Sequence, residues 1–152
     1  MTKIYLAGPV VADDNTKNLV SGIYQKLLTK FDKDFVYRPG LHKVPNEWGI
    51  TMEMWGQCVF TMDVIAIDNA DWIVLCNFGR NGASAGTAWE CGYAFAKNKK
   101  ILVVNMPGSE NSSLMVIGCA ANVVEYDEFV GSMDINKYFV ERGKLKFAKK
   151  LD

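Results

Sequence analysis

The chain has 152 residues, 49% hydrophobic and 22% charged, which suffices for a sizeable core and reads as one domain over 1–152. Its 17 basic and 17 acidic residues cancel, arguing against a nucleic-acid-binding surface, and the Lys-rich end (Lys144, Lys146, Lys149, Lys150) reads as a solvated tail. Four scattered cysteines without C-x-x-C, a single histidine, no leader-like segment and no apolar run of transmembrane length lead us to expect a cytoplasmic, reduced protein with no metal and no membrane partner.

Lys3 to Pro9 reads as a short buried strand closed by a Gly-Pro turn. From Asp13 to Lys30, Leu19, Val20, Ile23, Tyr24, Leu27 and Leu28 recur at helical spacing, with Asp14 or Asn15 as the cap. Phe35-Val36-Tyr37 is a second strand, ended by Arg38-Pro39-Gly40. Leu41 to Ile50 is an irregular loop and a candidate lid; its histidine, His42, reads as a polar loop residue rather than a catalyst. A helix is predicted from Thr51 to about Asn69, with Trp55, Val59, Met62, Ile65 and Ala66 on its apolar side. Asp71 to Leu75 gives the third strand. A short loop follows, then a helix from Gly82 to Lys97 capped by Ser84. Lys100 to Asn105 is the fourth strand, Ser112 to Ala121 a short helical piece, Asn122 to Tyr126 the fifth strand, and Asp127 to Glu141 a closing helix. Cys76 and Cys91 fall in apolar segments, where a thiol behaves as a small hydrophobe.

Apolar, β-branched strands alternating with helices predict an α/β fold with a parallel sheet covered on both faces. Right-handed crossovers and this length favour the flavodoxin-like, Rossmann-like order 2-1-3-4-5. Ligands of such sheets bind beyond the strand carboxyl ends, at the switch between strands 1 and 3. The loops gathered there are 8–14, 41–50 and 78–84.

Three side chains in this frame are candidates for chemistry. Glu90 sits among Ala, Trp, Cys and Gly early in the 82–97 helix, either as an exposed charge near a helix start or as the reactive group of an anion or sugar pocket. Tyr5 is a phenol in an aliphatic strand that wants a hydrogen-bond partner, unless it is only a core aromatic. Asp63 lies eight residues before Asp71, either as a solvated helix residue or as a second carboxyl group beside the first. A carboxylate steadied by a phenol, with a second carboxyl nearby, suits covalent chemistry at a sugar's anomeric carbon.

Lys3-Ile4-Tyr5-Leu6-Ala7-Gly8-Pro9, the Asp63–Asp71 spacing and Gly86-Thr87-Ala88-Trp89-Glu90-Cys91-Gly92-Tyr93-Ala94 together resemble the nucleoside 2-deoxyribosyltransferases. The likeness extends to 100–104 and to Ser113-Leu114-Met115. It implies a flavodoxin-like fold and cleavage of an N-glycosidic bond, with Glu90 as nucleophile, Tyr5 orienting it, and Asp63 contacting the substrate and helping the base leave. Substrate-binding positions implied are Gly8, Ser84, Gly86, Ser113 and Met115. The resemblance also implies a homodimer or higher homo-oligomer in which one subunit completes its neighbour's site, and no cofactor.

Two positions depart from the transferases that act on free nucleosides. Ser84 stands where an Asp usually receives the sugar's 5′-hydroxyl, and Ser113 where the neighbour usually contributes Asn. A pair of serines resembles the branch that hydrolyses nucleoside 5′-monophosphates. The physics agrees, since a carboxylate repels a phosphate and a hydroxyl at a helix N-terminus donates to it. Against this, the loop Val10 to Asp14 holds two acids and no basic residue. Gly86-Thr87 and Glu90 also resemble, more weakly, part of the motif of the cytokinin-activating phosphoribohydrolases, which cleave the same kind of bond. The readings are therefore a monophosphate N-glycosidase, a deoxyribosyltransferase on free 2′-deoxynucleosides, and a flavodoxin-like module that binds a nucleotide without turning it over. The base, and ribose against 2′-deoxyribose, stay open.

Overall fold

The computed structural model describes residues 1–44, 49–79, 85–109 and 112–142. Five strands, β1 (Ile4–Ala7), β2 (Val36–Tyr37), β3 (Trp72–Asn77), β4 (Lys100–Asn105) and β5 (Asn122–Glu125), form one parallel sheet in the order β2-β1-β3-β4-β5. This is the flavodoxin-like order expected from the pattern of strands and helices. In β1 and β3 every residue is buried, as a parallel sheet covered on both faces requires.

Strand periodicity divides the core in two. Ile4, Leu6, Trp72, Val74, Cys76, Leu102 and Val104 point to one face, against Val20, Ile23 and Leu27 of α1 (Asp14–Leu27) and Phe129 of α5 (Tyr126–Gly131). Tyr5, Ala7, Ile73, Leu75, Ile101 and Val103 point to the other. There they meet Ile67 of α2 (Met52–Asn69) and Cys91 and Ala94 of α3 (Ala85–Ala96). Tyr5, Glu90 and Asp63 thus belong to elements of a single face.

Caps fix where the helices begin and end. Asp13 is extended, and its Oδ1 accepts the Thr16 N–H at 2.7 Å, so the cap of α1 is Asp13 rather than Asp14 or Asn15. A cap side chain reaches the N–H two or three residues on, and here it is the third. Thr51 caps α2 by accepting the Met54 N–H at 3.1 Å. The α3 helix ends in a left-handed Asn98 (φ 59°), with the Lys99 N–H on the Ala94 carbonyl and the Asn98 N–H on that of Phe95. Ser84, expected as the cap of α3, lies outside the described residues, as do 45–48 of the candidate lid and the Lys-rich end.

The last third of the chain departs from expectation. The helical piece read over 112–121 is the five-residue α4 (Leu114–Gly118). The helix read over 127–141 is α5 followed by a separate 3-10 turn, Ile135–Tyr138. Ser132 is extended, its hydroxyl accepts the Asp134 N–H at 3.2 Å, and Asp134 Oδ1 accepts the Asn136 N–H at 3.1 Å. Short polar side chains here offer the backbone partners that a continuous helix would have supplied, and the helix stops.

Candidate active site

The site grows from register. Tyr5 on β1 pairs with Tyr37 on edge strand β2, and with side chains on one face the two rings stack, centroids 5.4 Å apart and 16° from parallel. Beyond Tyr37, His42 stacks in turn at 4.5 Å and 9°. The Tyr37 hydroxyl donates to Asp63 Oδ1 at 2.8 Å, tying the middle of α2 to the sheet edge. Asp63 is thereby held against the aromatic column rather than left as a solvated helix residue.

Glu90 reaches the same group from α3. It is half-buried, and burial lifts its carboxyl from 4.5 to about 7; the Tyr5 phenol offsets part of that rise, and the charge of Asp63 adds to it. Tyr5 is fully buried, and burial, followed by the charges of Glu90 and Asp63, pushes its phenol well above the usual range. Asp63 is raised by burial, with the Tyr37 hydrogen bond and His42 pulling the other way. These mutual influences place Tyr5, Asp63 and Glu90 together. The Tyr5 hydroxyl and Glu90 Oε2 are nevertheless the two buried side-chain oxygens among the described residues that complete no hydrogen bond of standard geometry.

The other candidates are more dispersed. Gly8 follows β1, half-buried, where an added Cβ would meet Val20 at 3.4 Å on the α1 side of the sheet. Gly86 is exposed in the first turn of α3. Ser113 is the N-cap residue of α4 but makes no side-chain cap hydrogen bond, and Met115 is 82% exposed. Neither Ser113 nor Met115 hydrogen-bonds to Tyr5, Asp63 or Glu90 within the described residues.

Two sets of residues escaped the sequence reading. Tyr37 reads only as a strand residue in the sequence, and pairing between strands distant in sequence is what brings it against Tyr5. At the other end of the sheet, Asn77 Nδ2 donates to Asn105 Oδ1 at 2.9 Å and to Ser112 Oγ at 2.8 Å. Asn77 Oδ1 accepts the Gly79 N–H at 3.1 Å, and Asn105 Nδ2 donates to Glu125 Oε1 at 3.1 Å. This buried network anchors the starts of the loops after β3 and β4, the segments carrying Ser84 and Ser113. The available signal was an Asn ending each of two apolar strands.

Two carboxyl groups of unequal environment, packed with phenols on one side of an α/β sheet, are the equipment of an enzyme using nucleophilic or acid–base catalysis. The nucleoside 2-deoxyribosyltransferase family signature matches residues 4–134, and the chain belongs to that family. Its reaction class is accordingly nucleoside deoxyribosyl transfer or N-glycosidic cleavage. Among solved structures it is similar to the 2-deoxyribosyltransferase of the psychrotolerant bacterium Bacillus psychrosaccharolyticus, with TM-score 0.66 and 26% identity over 93% of this chain and 99% of that one. It is also similar to a conserved protein of Enterococcus faecalis V583 (TM-score 0.61, 20% identity, 90% and 98% covered). A third is the Clostridium botulinum CMP N-glycosidase BcmB (TM-score 0.55, 19% identity, 86% and 96% covered). The last two bear on the fold alone. No curated protein matches the sequence significantly. No described helix is long and apolar enough to cross a membrane.

Proposed function

We propose that the chain hydrolyses the N-glycosidic bond of a (2′-deoxy)nucleoside 5′-monophosphate, releasing free base and sugar phosphate. The observation that carries the reaction is Glu90: a half-buried carboxyl with an unsatisfied oxygen, beside the Tyr5 phenol and within the field of Asp63. In its ionised form Glu90 attacks the anomeric carbon as the bond to the base breaks, through an oxocarbenium-like transition state. Asp63, whose carboxyl burial raises above its ordinary value, assists the departing base. Tyr5 orients Glu90. Water then attacks the same carbon and returns the Glu90 carboxylate.

The phosphate preference rests on Ser84 and Ser113. The acidic loop after β1 weighs against an anion, since the Asp13 carboxylate is held ionised by its bond to the Thr16 N–H. Lys17 and the half-buried Arg38 line a cavity of about 310 Å³ with Leu6, Gly8 and Val20, on the α1 side of the sheet and not among Tyr5, Asp63 and Glu90. One observation favours base transfer to a free nucleoside instead: the similar Bacillus psychrosaccharolyticus enzyme is a 2-deoxyribosyltransferase.

Shared sites in a homo-oligomer complete the reading. Phe60 of α2 and Trp89 of α3 are exposed yet ring-packed at 5.4 Å, and Leu114 and Met115 project from α4; apolar surface of this kind fits a second copy. A neighbour's Ser113 and Met115 would then close the site around Glu90. Mixing Glu90→Gln with Ser113→Ala subunits should restore activity if sites are shared and leave it absent if they are not.

The deciding experiment incubates the protein with nucleosides and 5′-monophosphates, with and without an acceptor base, and follows released base. Release from monophosphates without acceptor supports the reading. Exchange confined to free 2′-deoxynucleosides selects the transferase. Binding without turnover of any substrate leaves a nucleotide-binding module.

A further inference from the structure

The residue after Glu90 is a cysteine, and the fold gives it a partner. Cys91 lies buried on α3 and Cys119 half-buried at the end of α4; both are free thiols, and their sulfurs face each other at 2.9 Å. Cys119 Sγ also donates to the Val116 carbonyl at 3.1 Å, which leaves Cys91 as the donor between the two sulfurs. The other cysteines are differently placed: Cys58 is exposed on α2, and Cys76 is buried in the core of the opposite sheet face. In sequence the two thiols are 28 residues apart, and Cys91 had the look of a plain core residue.

We propose that Cys91 and Cys119 form a reversible disulfide under peroxide, and that closing it displaces Glu90 and slows the enzyme. Cys119 is the more accessible sulfur and reacts first. The hydrogen bond from Cys91 lowers its thiol, favouring the thiolate that attacks peroxide, and raises that of Cys91. The Cys119 thiolate takes one peroxide oxygen as sulfenic acid, and the other oxygen leaves as hydroxide, protonated to water. Cys91 sulfur then attacks the Cys119 sulfur, expelling a second water and losing its proton. Two thiols and one hydrogen peroxide thus become one disulfide and two waters; the sulfurs give up two electrons and the peroxide accepts them. A dithiol reductant reverses the step by exchange.

The coupling to catalysis is geometric. A disulfide has a fixed geometry, so closing it constrains α3 at Cys91 against the end of α4. Glu90 is the adjacent residue on α3, and a misplacement of about 1 Å at a reacting group costs up to about 100-fold in rate. The same link pins the segment bearing Ser113 and Met115. The effect on turnover rests on the N-glycosidic reading of Glu90, whereas the disulfide itself does not.

Peroxide treatment of the full chain, followed by peptide mapping without reduction, tests both parts. The expected product is a peptide joining Cys91 to Cys119 with loss of two hydrogens, accompanied by a fall of about 10-fold to 100-fold in base release. Both changes should reverse with dithiothreitol and be absent in Cys119→Ser. A Cys91→Ser variant that fails to fold leaves Cys119→Ser sufficient. Peroxide that oxidises Cys58 while Cys91 and Cys119 stay as unlinked thiols overturns the couple. A linked peptide with unchanged turnover overturns the switch. A linked peptide in a protein whose reduced form releases no base from any nucleoside or nucleotide sinks the catalytic reading and leaves the couple standing.

Discussion

The two ends of the sheet treat buried polar groups in opposite ways. Around Asn77 and Asn105, amide donors and acceptors meet Ser112, Gly79 and Glu125 in a connected network. Around Tyr5 and Glu90, a hydroxyl and a carboxylate oxygen are buried without completing a bond. Satisfied networks rigidify a fold, and a group left short of partners is held in wait at a cost of about 1–3 kcal/mol. The first region shapes loops, and the second holds groups for which a substrate can be the missing partner.

Substitutions should separate the two ends, and Glu90→Gln should do so most sharply. It is expected to cut base release by about 10³-fold or more while the folded spectrum is kept. Turnover within a few-fold of the parent would remove Glu90 as nucleophile. The next effect concerns pH. A carboxyl raised from 4.5 to about 7 is protonated in both folded and unfolded chains at pH 4 and costs nothing there. As pH climbs past 4.5 the unfolded chain ionises first, so stability falls until the native carboxyl ionises near 7, an eventual loss of about 3 kcal/mol. Glu90→Gln should therefore raise the denaturation midpoint at pH 8 and leave it nearly unchanged at pH 4. The same ionisation should make base release climb with pH through about 7. An equal midpoint shift at both pH values would assign the gain to packing.

At the opposite end, Asn77→Ala strips partners from Asn105, Ser112 and the Gly79 N–H. A loss of about 2–3 kcal/mol in chemical denaturation is expected. A smaller change with a larger fall in activity would move Asn77 to the catalytic side of the comparison. Tyr37→Phe keeps both ring stacks and removes only the bond to Asp63, so stability should change by about 1 kcal/mol and turnover by several-fold. A stability loss matching that of Asn77→Ala, with turnover untouched, would make Tyr37 a structural residue.

What could be read from the chain alone followed from periodicity. Runs such as Ile73-Val74-Leu75 and Ile101-Leu102-Val103-Val104 announce doubly covered strands, and the helices between them leave few topologies. Tyr5, Asp63 and Glu90 stood out because each was polar in apolar company or set at a telling spacing. Tyr37 did not, since a Tyr closing a short strand looks ordinary until register lays it on Tyr5. Asn77 and Asn105 become partners only when β3 and β4 align them. The break after α5 turned on Ser132 and Asp134 bonding locally, a competition that hydrophobic spacing does not register.

The shortness of β2 has its own consequence. Two residues at the sheet margin, Val36 and Tyr37, carry the phenol that anchors Asp63, whereas β3 and β4 run six residues each through the middle. A margin this brief can lift away while the centre stays intact, so its amides should trade protons with solvent through small local openings. Amides of β3 and β4 should exchange only when the whole molecule opens. A substrate that leans on Asp63 would clamp that margin, and slowed exchange at Tyr37 would report its arrival before any bond is broken.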